Sequence, residues 1–220
     1  MTSTTPTKTP FRVGVLLLPS VQLLDASAID LFGMITPEYL QACGLPSALV
    51  DMGVPVEIHY ISATGPGTYM ALTASATLPV TDSLSSPAVQ PGQLEALLIP
   101  GPDPRTVPSE DVLAFLRAHK AADKTDILVI CTGSFPAGFA GLLDGKTVTG
   151  PRALLGKLKE VFPAGNFVAR RWERDGRIWS SGAITNGLDL TAAYLHDKFQ
   201  KELADLVCGM AEVGDRGQDY

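Results

Sequence analysis

Three short apolar runs constrain this chain's fold more than any other feature. They are RVGVLLL over 12–18, LEALLI over 94–99 and DILVI over 126–130. Each is followed by a proline or a cysteine. Strands with almost no polar alternation are covered on both faces, as in a parallel sheet between helices. Helical spacing fills the intervals: 24–34, 37–49, 110–122, 133–143, 152–161 and a long closing helix over 188–210. VPVEIHYIS over 54–62 alternates and reads as a further strand. Residues 70–80 suit a small hairpin, and 146–149 a short strand. A second hairpin is expected from 167–173 and 177–180, turning at Asp175-Gly176. Repeated βα units predict an α/β fold, a mostly parallel sheet with helices on both faces. No low-complexity linker divides the chain. The expected organisation is an arm at 1–10, disordered by its Pro/Thr composition, one domain over 11–213 and a flexible polar tail at 214–220.

Composition excludes several classes of function. Lys+Arg 17 against Asp+Glu 23 gives a net charge of −6, and binding to nucleic acid needs a basic surface. No apolar run reaches the roughly 18 residues of a membrane span. The three cysteines, Cys43, Cys131 and Cys208, are odd in number and far apart. That pattern suits neither a disulfide framework nor a zinc site. The first ten residues lack the apolar core of a secretory signal. A cytoplasmic protein with reduced thiols is expected.

In open α/β sheets ligands bind beyond the carboxyl ends of the strands. That rule singles out Pro19–Asp25, Gly101–Pro104 and Cys131–Ser134. The sharpest of these is DILVICTGSFPAGFA, 126–140, in which a buried strand runs straight into Cys131 and then a helix of small residues. A strand-to-helix turn of this kind is a nucleophile elbow, presenting one side chain at the sheet edge. Gly133 is expected to allow the tight turn, and the helix N-terminus to favour the thiolate. The blander reading is a buried core cysteine. A base for the thiol is harder to find. His59 lies in a strand, His119 near the end of a helix at the opposite edge, and His196 within the last helix. An acid is the alternative: Asp25, which follows the first strand by a short loop and opens a helix. It is either an N-cap or a carboxyl drawn into apolar surroundings beside Leu23 and Leu24, with its pKa raised.

The segments LLLPSVQLLD (16–25), the PGP after the 94–99 strand, CTGS (131–134), GLLDGK (141–146) and SGAITNGLD (181–189) together resemble the ThiJ/PfpI superfamily, also called the DJ-one superfamily. Within it the chain is similar to isocyanide hydratases. The likeness runs in order over about residues 11 to 210. It implies a flavodoxin-like three-layer sandwich related to class I glutamine amidotransferases. It also implies Cys131 as nucleophile, Asp25 as its acidic partner, and Gly101 and Thr132 as oxyanion or substrate-binding positions. Thr185 is expected to cap the final helix. The chain departs from the family's pattern at two places. Pro102 stands where relatives commonly have a second glycine, and proline has no N–H to offer an anion. Pro151 stands where many relatives carry a histidine, which argues against amidase or protease chemistry. Arg152 is expected at the surface, with the pocket as its other placement. Residues 37–50 resemble an insertion suited to a lid or a dimer interface. The resemblance implies a hydratase that needs neither cofactor nor metal, adding water to an isocyanide to give an N-substituted formamide. A small-molecule substrate and a homodimer go with it. A cofactor-free glyoxalase and a cysteine-based redox sensor are the alternatives.

Overall fold

The computed structural model describes residues 8–220. The elements run β1 (Phe11–Leu16), α1 (Leu23–Ala26), α2 (Asp30–Met34), α3 (Pro37–Ala42), α4 (Ser47–Val50), β2 (Val56–Ile61), β3 (Tyr69–Ala71), β4 (Thr77–Pro79), β5 (Ala96–Ile99), α5 (Glu110–Ala122), β6 (Asp126–Ile130), α6 (Ser134–Phe139), β7 (Thr147–Val148), α7 (Leu155–Val161), β8 (Asn166–Phe167), β9 (Trp172–Asp175), β10 (Ile178–Ser181), α8 (Thr185–Lys198) and α9 (Lys201–Ala211). The central sheet has the order β2-β1-β5-β6-β10-β9. All its pairs are parallel except the edge pair β10–β9.

The apolar runs are buried on both faces because successive side chains point to opposite sides. Ala96, Leu98, Leu128 and Ile130 face one core with residues of α2, α8 and α9. Leu97, Ile99, Ile127 and Val129 face the other with α5, α6 and α7. The result is the expected three-layer α/β sandwich.

Several local expectations are corrected. The closing helix breaks between Lys198 and Lys201, where Phe199 is extended. The 37–49 helix is two short helices, because Gly44 takes φ +73 and Pro46 starts the next turn. Cys43 caps the first of them and is exposed, rather than sitting inside a helix. Phe167 belongs not to the β9–β10 hairpin but to a parallel pair with β7. Thr185 does not cap α8. It is the first helical residue, and the cap position is Ile184, with no side-chain bond.

The expected arm at 1–10 lies outside the described residues for 1–7. Lys8 bonds the carbonyls of Asp51 and Gly53, each at 2.8 Å. Residues 214–220, whose composition suggests a flexible tail, lie against α8 and β9 through several polar contacts.

Gly133 acts differently from its expected role. Its φ is −55°, ordinary for any residue, and the positive φ of the turn is at Cys131, +56°. Glycine is needed there for close approach: a Cβ would stand 2.2 Å from the Ile99 carbonyl oxygen of the neighbouring strand. Gly133→Ala must therefore push β5 and the elbow apart. A loss on the order of 2–3 kcal/mol is expected, read from urea unfolding.

Candidate active site

Four parallel strands deliver their carboxyl ends to one edge. Beyond β1 comes the 17–22 loop, beyond β5 Gly101, beyond β6 Cys131, and beyond β10 Ile184. Their loops enclose a cleft of about 480 Å³ with Cys131 in its wall, beside Gln22, Pro102, Thr132, Ala183 and Ile184. The loops are tied together: Gln22 N–H donates to the Gly101 carbonyl at 2.8 Å, and Thr132 Oγ1 donates to the Pro102 carbonyl at 2.6 Å.

Asp25 is not an N-cap. It is the third residue of α1, whose cap position is Gln22. Its side chain is fully buried behind the cleft wall. Oδ2 accepts the Gly101 N–H at 3.1 Å. Oδ1 is buried with no hydrogen-bond partner of ordinary geometry. Burial pushes this carboxyl up to about 7, against the opposing pull of the Gly101 amide, the Cys131 thiol and the Ile184 amide. Gly101 thus serves the acid: its amide holds Asp25, and a Cβ there would meet Asp25 Oδ2 at 2.5 Å and Thr132 Oγ1 at 2.4 Å.

Cys131 is half-buried, in the left-handed backbone region that non-glycine residues rarely adopt. Burial first, and then the Asp25 charge, push the thiol up to about 11, while the backbone N–H groups of Thr132 and Ile184 draw it down. Thr132 lines the cleft beside Cys131. The other backbone group that favours the thiolate belongs to Ile184, which lines the cleft and which the sequence did not single out. Ile184 adopts φ 46°, ψ −95°, a strained conformation for a β-branched residue. The signal was present in the SGAIT segment, but no spacing rule says that its backbone turns back toward another strand's cysteine.

None of the three histidines lines the cleft. His59 pairs with Asp82 at 2.9 Å, buried His119 lies between Thr125 and the Val89 carbonyl, and His196 meets Asp205. Arg152 is exposed and stacks on the Tyr220 ring, 4.5 Å from its centroid. No residue of 37–50 lines the cleft, so that segment does not cover it; Leu40 is buried in the core instead. Among the described residues, no three His, Cys, Asp or Glu side chains are grouped to hold a metal ion.

The model of the DJ-1/PfpI family matches residues 42–197. The chain belongs to the DJ-1/PfpI family. The isonitrile hydratase of Pseudomonas putida is 29% identical over 199 residues, covering 89% of this chain and 75% of that protein. A ThiJ/PfpI family protein from Pseudomonas syringae superposes with a TM-score of 0.75 at 18% identity, covering 99% of this chain and 81% of that one. DJ-1 of Schizosaccharomyces pombe superposes at 0.67 with 14% identity, over 92% and 99%. These likenesses establish the flavodoxin-like fold. Asp25 lies before the segment the DJ-1/PfpI model matches, so its place beside Cys131 rests on the geometry. No helix of the described residues is long and apolar enough to cross a membrane.

Proposed function

We propose that the cleft hydrates isocyanides, with Cys131 as nucleophile and Asp25 as the proton carrier. The observation that carries this reading is a buried carboxyl with one unpartnered oxygen, set against an elbow cysteine in a cleft that no histidine lines. The likeness to an isonitrile hydratase supports it.

The reactive form has the proton on Asp25 and the charge on sulfur. With Asp25 neutral, its repulsion of the thiolate is gone, and the Thr132 and Ile184 amides face the anion. Because the two groups interact, their titrations belong to the pair. The sulfur adds to the terminal isocyanide carbon, and the Asp25 proton passes to that carbon, giving a thioimidate, R–N=CH–S. The Asp25 carboxylate then takes a proton from water as the water oxygen adds to the same carbon. The hydroxyl proton moves to nitrogen, the C–S bond breaks, and R–NH–CHO leaves. The thiolate and the protonated acid are regenerated. One water is consumed and nothing is oxidised. General acid–base help of this kind is worth about 10²–10⁴-fold.

The test is a parallel assay with an aryl isocyanide and with methylglyoxal, beside mass spectrometry after mild peroxide. Formamide production with Cys131 intact supports hydration. Lactate production would support the glyoxalase alternative. A stable oxidised Cys131 with neither turnover would support a sensor.

The same proposal includes a cytoplasmic location, in keeping with three unbridged cysteines, and a homodimer. Leu24 and Phe139 are exposed apolar side chains suited to a contact, and two-fold pairing is the commonest assembly. Sedimentation at micromolar concentration should give a dimer; a monomer throughout would refute the pairing.

A further inference from the structure

The strained Ile184 turn needs something to hold it, and its neighbours show what does. The turn is short: β10 ends at Ser181 and α8 begins at Thr185. It is overlaid by residues 214–220, none of which lines the cleft. Arg216 meets Asp189, a buried carboxylate on α8, with both of its oxygens, at 2.5 and 3.4 Å. The Gln218 carbonyl accepts the Arg171 N–H at 2.8 Å, and the Gln218 amide donates to Glu173 at 3.1 Å. The Tyr220 ring lies by two guanidinium groups, Arg152 at 4.5 Å and Arg171 at 5.3 Å. Its hydroxyl accepts from Asn186 Nδ2 at 3.1 Å. Asn186 is in the first turn of α8, two residues from Ile184. A Cβ on Gly182 would meet both groups, Asn186 Nδ2 at 2.5 Å and the Tyr220 hydroxyl at 2.8 Å. The strap thus closes on the side-chain-free face of this turn.

We propose that Tyr220 is a positioning residue for the Cys131–Asp25 site: through Asn186 it fixes the start of α8, and with it the strained backbone of Ile184, which lines the cleft beside Cys131. Tyr220 does not line the cleft, and its hydroxyl bond to the start of α8 is the one to Asn186. The inference rests on the reading of Cys131 as the reactive group, but it does not need isocyanide as the substrate.

Alkylation of Cys131 by iodoacetamide across pH tests it without any substrate. The groups able to shift that profile are few. Asp25 faces the thiol from α1, Asp103 and Arg105 neutralise each other on the cleft wall at 2.6 Å, and the 182–187 turn contributes no titratable side chain. Tyr220→Phe keeps the ring between the two arginines and removes only the hydroxyl. A loosened Ile184 donor stabilises the thiolate less, so the profile moves to higher pH. Alkylation near pH 8 should slow by about three- to tenfold, a fraction of what a full hydrogen bond to a charged group gives. The melting temperature should stay within about 2 °C of the parent. Asn186→Ala should shift the profile in the same direction, and it serves as the second route to the same contact. An unchanged profile in both variants, whether or not their melting temperatures fall, would make the strap merely structural and overturn the proposal. A shifted profile in a protein that does not hydrate isocyanides would uphold the strap and remove the hydratase reading.

Discussion

Cys131→Ser is expected to abolish turnover, by at least about 10³-fold, while leaving the melting temperature close to that of the parent. The loss follows from the mechanism: a serine hydroxyl in this half-buried site stays protonated, and neither the Thr132 nor the Ile184 amide can make it a comparable nucleophile. Stability should barely change because the swap is nearly isosteric and the strained backbone at φ +56° is kept. Cys43 and Cys208 serve as controls. The first is exposed at a helix end and the second is buried in the core; neither lines the cleft. Their Ala or Ser variants should keep full rate. Steady-state kinetics with matched thermal melts checks both statements.

Asp25→Asn should separate activity from stability in opposite directions. Rate should fall by about 10²–10⁴-fold, because the amide has no proton to carry between carbon and water. Stability above neutral pH should rise. Asp25 holds its proton to about 7 in the folded chain against an ordinary value of 3.8. The folded state therefore binds more protons than the unfolded one between those values. The contribution is fully present below about 3.8 and is lost as pH rises through about 7. The shift is worth at most on the order of 4 kcal/mol. Asparagine can still accept the Gly101 N–H but never charges. A gain of about 5 °C at pH 8 is therefore expected. The thiol should respond as well: without the Asp25 charge, its pKa falls and alkylation near neutral pH quickens. A variant that loses rate, melts higher and alkylates faster fits the carboxyl's assigned role. One with undiminished rate would leave Asp25 a core residue.

Much of this site was legible in the sequence because parallel sheets deliver strand ends to one edge. The runs 12–18, 94–99 and 126–130 were enough to bring the 17–25, 101–104 and 131–134 loops together. The acid–thiol pairing followed from that edge and from the poor placement of the histidines. Two things were not legible. One was how donors are shared. Gly101 was expected at an oxyanion or substrate-binding position; it lines the cleft, and its amide donates to Asp25. The other was the backbone of Ile184. A strained dihedral leaves no mark on hydrophobic periodicity, and what sustains it here is contact with distant residues such as Asn186 and Tyr220. The burial and the Asp25 charge that push the Cys131 thiol up are likewise tertiary facts, which no local pattern shows.

The claim beneath all of these is that the Cys131 sulfur bonds to the isocyanide carbon. The most direct measurement is peptide mass spectrometry of the parent, acid-quenched within its first turnovers on an aryl isocyanide, with Asp25→Asn beside it as the variant that lacks the proton for carbon. The account predicts a thioimidate on the peptide containing Cys131, heavier by the mass of one isocyanide and absent from the peptides of Cys43 and Cys208. Formamide production by the parent, with no such adduct on Cys131 in the parent or the variant, would contradict it.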